Sequence, residues 1–131
     1  MGSFSNYWEN EVLDHLFGKG AYAPPTIHVA LSAADPGEDG SGLDEPEGGG
    51  YARAVTQASD WSSADSGLVD NVQAIEFNAA TGAWGTLTHF ALFDAATGGN
   101  LLAHGSLTQS RTVNASDVPV FPPSDLQVTL D

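Results

Sequence analysis

The 131-residue chain contains no cysteine, only three basic residues and no long apolar run. The absence of cysteine excludes both a disulfide framework and a thiolate metal site. No apolar run approaches the roughly 20 residues that span a bilayer. The basic residues are Lys19, Arg53 and Arg111, whereas 17 residues are acidic, for a formal charge of −14.

This charge balance excludes several classes of partner. Neutralising phosphates provides most of the affinity of proteins for nucleic acid, and three scattered cations cannot do so. An anionic membrane surface is disfavoured for the same reason. We therefore expect neither nucleic acid nor a membrane as a partner. The hydrophobic content of 41% and its periodic distribution exclude a fully disordered chain.

The length predicts a single domain, residues 1–131, with an N-terminal helix and its cap in 1–20 and a β-domain in 26–131. The helix is expected over residues 4–17, because Phe4, Trp8, Val12 and Leu16 are spaced four apart and Leu13 and Phe17 widen the apolar face. Ser3, Ser5 or Asn6 can cap its start, and Gly18 can end it.

The remainder has the alternation of β-strands. In "TIHVALSA" (26–33), Ile27, Val29 and Leu31 are predicted to point to one face and His28, Ala30 and Ser32 to the other. Further strands are predicted at 51–58, 69–77, 86–93, 101–107, 112–121 and 125–130. One helix followed by about seven short strands indicates a mainly β fold, a β-sandwich or a small barrel.

The segment 33–49, "ADPGEDGSGLDEPEGGG", is a long acidic loop with six carboxylates. Hard cations such as calcium need several oxygens at close spacing, but the calcium-loop pattern of acidic residues is missing. We therefore expect a solvated loop that can lie on a neighbouring subunit.

Residues suited to catalysis are present without the spacing that catalysis needs. His89 and His104 flank a predicted hairpin, and they are interpreted as polar residues on its solvent face rather than as zinc ligands. No nucleophile motif or phosphate loop occurs. Trp61 and Trp84, with Tyr51, provide either a sugar-stacking platform or anchors of the core. We predict no enzymatic activity, no catalytic residues, no metal and no cofactor.

Long phrases of the sequence resemble small structural proteins of tailed bacteriophages. They include "HLFGK", "VALS" and "DPGEDGSG" near the start, "EPEGGGYAR" (45–53), "WGTLTHFALFDAATGGNLLAHGSLT" (84–108), "TVNASDV" (112–118) and "DLQVTLD" at the end. The resemblance implies a virion structural protein without catalytic residues, of a kind often labelled a tail-fibre protein.

Within this family, the short length of the chain and its lack of repeats favour a capsid role over a fibre role. The chain has neither heptads nor short repeats, which fibre shafts require. We therefore expect a capsid decoration (cement) protein on the outer capsid surface, with the major capsid protein and copies of itself, as trimers, for partners. A tail or tail-fibre-associated module, able to bind host sugars, is the alternative.

Candidate partner-interface residues come from two stretches. The helix contributes Phe4, Tyr7, Trp8 and Val12, and the strand near 51–53 contributes Tyr51 and Arg53. Two interpretations of Trp8 remain open, since it can pack in the domain's own core or contact a partner. Arg53 can pair with an acidic neighbour or form an ion pair within the domain.

Overall fold

A computed structural model describes residues 1–130. The elements are β1 (Gly2–Phe4), α1 (Asn6–Leu16), β2 (His28–Ser32), β3 (Ala54–Val55), a 3₁₀ turn (Ala58–Asp60), β4 (Leu68–Asp70), β5 (Ile75–Glu76), β6 (Gly85–Phe93), β7 (Leu101–Val113), β8 (Val120–Phe121) and β9 (Gln127–Thr129). Seven strands form one curled sheet, a half-barrel, in the order β3-β2-β6-β7-β1-β9-β4, and β5 pairs with β8. The expectation of a mainly β fold with one N-terminal helix is confirmed.

The helix begins later than its periodicity predicts. Phe4 belongs to β1, which lies between β7 and β9, antiparallel to the first and parallel to the second. Ser5 is the N-cap: its hydroxyl accepts from the Trp8 amide, and its own amide donates to Leu102 O over 2.8 Å. Gly18, at φ +74°, follows the last turn. No helix among residues 1–130 has the length and apolar character needed to cross a membrane.

The β6–β7 hairpin is the central pair of the sheet. Leu87 pairs with Arg111 and His89 with Ser106, so residues 107–110 bulge opposite the single residue Thr88. The predicted break after Leu107 is therefore a bulge within one strand. The predicted strand 112–121 is wrong, because β7 ends at Val113 and only Val120–Phe121 pairs again. Pro119 lacks an amide for a longer ladder.

Both faces of the sheet bury apolar side chains. The inner face holds the main core, built around Phe90, Leu92 and Leu102 together with Val29 and Leu31. The outer face of the same strands buries a smaller cluster of Ala30, Ala91, Phe93 and Leu101, against which Leu43 of the acidic loop packs. The alternation predicted for β2 is confirmed.

One buried polar residue organises the far end of the sheet. Asn71 is fully buried, and its amide donates to the carbonyls of Gln73, Phe121 and Pro122 while accepting from the Leu126 amide. Its side chain thereby joins the segments that precede β5 and follow β8. Because both polar atoms of this buried amide have hydrogen-bond partners, the amide stabilises one arrangement of the loops.

Candidate protein-protein interface

The first half of α1 packs on its own sheet. Phe4, Tyr7 and Trp8 are half-buried against the main core, and the Phe4 and Trp8 ring centroids are 4.5 Å apart. The Trp8 indole N–H donates to the Tyr22 hydroxyl over 3.1 Å. Val12 is also half-buried. The interpretation of Trp8 as a residue of the domain's own core is thus the one that the structure favours.

The second half of α1 leaves its apolar side chains in solvent. Leu13, Leu16 and Phe17 are 53%, 71% and 75% exposed. Their i, i+3, i+4 spacing places them on one face of the helix. We call these three residues the helix-end stripe. Exposed apolar side chains that adjoin one another indicate a protein-protein contact more often than scattered ones do.

Arg53 lies inside the chain's own structure, with a side chain only 4% exposed. Its guanidinium donates to both carboxylate oxygens of Glu45, at 3.0 and 2.7 Å, and to the carbonyls of Ala95 and Gly98. It also lies 3.8 Å from the centre of the Phe93 ring. The acidic neighbour of Arg53 in this structure is therefore a residue of the same domain.

Tyr51 completes this polar cluster. Its hydroxyl donates to Glu45 over 2.6 Å and accepts from the Leu31 amide. Burial, and then the hydrogen bond to Glu45, raise the pKa of Tyr51 well above its usual range. Burial alone would raise the pKa of Glu45, but hydrogen bonds from Arg53 and Tyr51 outweigh it and hold that pKa below its ordinary value. A partner contact through Tyr51 or Arg53 stays a prediction.

The acidic loop 33–49 is fastened to the sheet at several points. Pro36 is fully buried, Leu43 packs on the outer face, and Glu45 holds Arg53. The expectation of a solvated loop is wrong for these residues, because apolar contacts and paired charge compensate their burial. Its contact with a neighbouring subunit stays a prediction. At its exposed tip, the Ser41 amide hydrogen-bonds Asp39 and lowers the pKa of that carboxyl.

His104 is the second point that holds this loop. It lies opposite Ala91 and Ser3, and its Nε2 is 2.6 Å from Glu38 Oε2 while its Nδ1 is 3.5 Å from Asp35 Oδ1. The placement of His104 on an open solvent face is therefore wrong, because the loop covers it. His89 contacts the Thr88 hydroxyl. Within residues 1–130, no group of three or more His, Cys, Asp or Glu is arranged to hold a metal ion.

The two tryptophans considered for sugar stacking are engaged internally. Trp84 is 6% exposed, packs edge-on against Tyr51 and Phe77, and donates its N–H to Gly49 O. The hypothesis that Trp84 forms part of a sugar-stacking platform is therefore wrong. Trp61 is half-buried against the core and donates to the Thr56 hydroxyl.

A groove of about 300 Å³ lies between the bulge of β7 and residues 117–125. Leu87, Phe90 and Phe121 form its apolar floor, and Arg111, Asp117 and Asp125 lie on its rim. Its two aromatic residues are buried, so neither ring offers an open face for stacking.

These features describe a small β-domain that has an exposed apolar stripe at the end of its helix. Residues 3–129 match the model of a family of bacteriophage structural proteins. That family is described as podophage GP4 fiber I protein gp80, and the chain belongs to it. Comparison with curated proteins finds no significant match. The resemblance to phage structural proteins labelled as tail-fibre proteins is confirmed.

Proposed function

We propose that this chain is a small, non-enzymatic subunit of a phage tail-fibre apparatus, which attaches to a larger virion protein through the helix-end stripe. The family description supports the location, since it names a fibre protein. The observation that carries the attachment is the exposure of Leu13, Leu16 and Phe17 on one helix face. The residues suited to chemistry, such as His104 and Glu45, hold the loop in place instead.

The charge of the chain indicates what the stripe binds. Glu9 lies one turn before Leu13, and Asp14, which follows Leu13, is exposed. Arg53 is internal, so the exposed lysine and arginine side chains of residues 1–130 are Lys19, two residues after the stripe, and Arg111. A partner with an apolar groove flanked by lysine or arginine is complementary to this surface. A second copy presents the same negative charge and is a poorer occupant.

Burial of the stripe provides enough free energy for a repeated contact. A large apolar side chain contributes about 1.5–3 kcal/mol when it is fully buried. Three such side chains support a modest affinity for each copy, and several copies on one particle strengthen the attachment together.

A direct test is a pair of measurements on virions that lack this chain, beside complete ones. Host adsorption is expected to fall strongly, while the temperature at which DNA is released on heating stays the same. Adding back the purified chain should restore adsorption. Particles that adsorb normally without the chain would contradict the fibre role.

The stripe itself is tested by adding variants to the deficient particles. Leu16→Ser with Phe17→Ser should weaken binding by about tenfold or more, because two apolar contacts are lost. The matched control is Val55→Ser, which removes an apolar side chain that is 65% exposed on the edge strand β3. Equal binding by both variants would exclude the stripe as the attachment surface.

Capsid decoration is the second candidate, and two observations favour it. The described residues form one curled sheet, a two-stranded sheet and one helix, and they contain no elongated shaft. The charge of −14 suits an outer capsid surface away from DNA. In that role the chain would bind the major capsid protein, with copies grouped as trimers. Heated particles without it would then release DNA at a lower temperature and adsorb normally.

A further inference from the structure

The second half of strand β7 has a neighbouring strand on one side only. Strand β1 pairs with β7 no further than Gly105, whereas β6 continues beside β7 as far as Val113. Among residues 1–130, no strand lies on the other side of Leu107–Thr112, and no turn or loop donates a backbone hydrogen bond to it. We call this stretch the open edge. It presents unpaired backbone groups over roughly 20 Å.

The groove described above lies along the open edge rather than over one face of the sheet. Arg111, Thr112 and Val113, which pair in regular register with β6, all line it. Neighbouring side chains of a strand point to opposite faces, so a groove that touches each residue in turn approaches the strand from its edge. The opposite wall is residues 117–122, which include β8, itself paired only with β5. An extended segment in the groove would therefore lie beside the open edge.

The groove also offers apolar surface to such a segment. Its floor is Leu87, Phe90 and Phe121, and on the far wall Val118 and Val120 are 43% and 45% exposed. In an added strand, every second side chain points to the same side. A segment with apolar residues at alternate positions therefore fits this surface, and the volume of about 300 Å³ suits a short segment rather than a whole domain.

The charges around the groove favour a basic occupant. Asp117 and Asp125 lie on its rim, and neither forms an ion pair among residues 1–130. The whole chain carries a formal charge of −14, so lysine or arginine beside the apolar residues is complementary to it. A second copy fits poorly. Its Lys19 lies in the turn after α1, its Arg53 is internal, and its Arg111 lines its own groove.

We propose that this groove is a docking site for an extended segment of another polypeptide. The segment pairs through its backbone with the open edge of β7, and it carries lysine or arginine beside alternating apolar residues. In recognition by strand addition, main-chain hydrogen bonds provide affinity and the pockets for alternate side chains provide specificity. The site shares no residue with the helix-end stripe and does not depend on it.

A bead library of random decapeptides, presented to the purified full chain, is the first probe. A decapeptide is long enough to span the open edge of roughly 20 Å. We expect the selected peptides to share apolar residues at alternate positions and a lysine or arginine near one end. Selection of no peptide above the background of bare beads, or of acidic peptides, would overturn the proposal.

Backbone pairing is tested by N-methylation of the tightest-binding peptide. Successive amides of an extended strand point to opposite sides, so only one alternate set of them faces β7. Methylation of that set should abolish binding, whereas methylation of the other set should preserve it. Hydrogen exchange at the Leu107–Thr112 amides that point away from β6 should slow when the peptide is bound. Equal effects of the two sets would indicate docking by side chains alone and overturn the proposal.

The position of the site is tested with Val120→Arg, which brings a bulky cation into the far wall against a basic occupant. We expect the affinity for the selected peptide to fall by about tenfold or more. The matched control is Val72→Arg, which makes the same change of charge at a valine that is also 45% exposed but does not line the groove. Equal affinities of the two variants would place the peptide elsewhere and overturn the proposal. If Val120→Arg does not fold, Asp125→Lys replaces it.

The same peptide separates this site from the proposed attachment surface. The variant with Leu16→Ser and Phe17→Ser should bind the peptide as the natural chain does, because both changes lie outside the groove. Failure of the docking proposal therefore leaves the fibre role untouched. Self-association of the natural chain that Val120→Arg abolishes would identify a second copy as the occupant, and it would overturn the assignment to a basic segment.

Discussion

The acidic loop 33–49 and the second half of helix α1 contrast in composition and in environment. The loop is rich in glycine and carboxylates, yet it buries Pro36 and holds Arg53 and His104. The helix end is apolar, yet Leu16 and Phe17 lie in solvent. Polarity alone would assign the loop to solvent and the helix end to the core.

The difference shows that the burial of a segment depends on which residues the fold places opposite it. The loop lies over the outer face of β2, β6 and β7, where Phe93 and Leu101 need cover and Arg53 needs a counter-charge. The helix crosses the sheet with its first turns only, because β1 fixes its start beside β7. From Leu13 onward its side chains are exposed.

Removing the cation that holds the loop should have the largest effect. Arg53→Met leaves Glu45 without its counter-charge and the carbonyls of Ala95 and Gly98 without a donor. We expect a loss of about 3–5 kcal/mol in the free energy of unfolding, measured with urea. Arg111→Met, which removes an exposed cation, should stay within about 0.5 kcal/mol. Equal losses would mean that the loop is not held by this pair.

The tight packing of strand β1 is tested at Gly2. A Cβ there would meet His104 O and the Phe90 ring, so Gly2→Ala should cost about 1–3 kcal/mol through overpacking. The control is Gly20→Ala, since Gly20 has open space around it and needs no left-handed backbone. Thermal unfolding of both variants compares β1 with the exposed residues that follow α1. Unchanged stability of Gly2→Ala would contradict the tight fit of β1.

Acid should weaken the loop before it affects the helix end. The pKa of Glu45 is lower in the folded chain than its ordinary value of 4.5, so the folded state favours the ionised form. Its contribution to stability is therefore present above pH 4.5 and is lost as the pH falls through the folded pKa. Urea titrations from neutral pH downward should show a steeper fall for the natural chain than for Glu45→Gln. Identical slopes would assign the pH dependence to other carboxylates.

The loop's second attachment should matter less than the first, because it is more exposed. His104→Gln removes the contacts with Glu38 and Asp35, and we expect a loss of about 0.5–1.5 kcal/mol. Hydrogen exchange at the Gly37 and Ser41 amides should become faster, while the amides of β2 stay protected. His15→Gln is the control on the helix, outside the loop. Unchanged exchange in the loop would show that His104 does not hold it.

The smallest effect on folding is expected at the helix-end stripe. Phe17→Ser removes a side chain that is 75% exposed, so the free energy of unfolding should change by no more than about 0.5 kcal/mol. Trp8→Ser provides the comparison. It should destabilise the chain clearly, because Trp8 packs on the core. A large loss for Phe17→Ser would mean that the stripe is structural.

Much of the architecture could be predicted from local patterns. The alternation around Val29 and Leu31, the hairpin of 86–93 with 101–107, and the Ser5 cap all follow from spacing and residue type. The strand at Gly2–Phe4 could not be predicted. Three residues carry no periodicity, and their pairing depends on Gly105, about a hundred positions away in the chain.

The candidate interface was predicted only as a region. Periodicity placed Leu13, Leu16 and Phe17 on the same apolar face as Phe4 and Trp8, but it cannot say which end of that face meets the sheet. Arg53 stood out as one of three cations, and its internal role depends on Glu45, Ala95 and Gly98, which only the fold brings together.

The sequence by itself determined the class of this protein: a mainly β chain with one N-terminal helix, without disulfides, and with a strongly acidic balance of charge. These properties follow from composition and short-range spacing, which act within a few residues. The tertiary structure decided that the acidic loop covers the sheet, that β1 completes it, and that the end of the helix stays exposed. Those outcomes depend on contacts between distant segments, because burial is settled by whichever surfaces the fold places opposite each other.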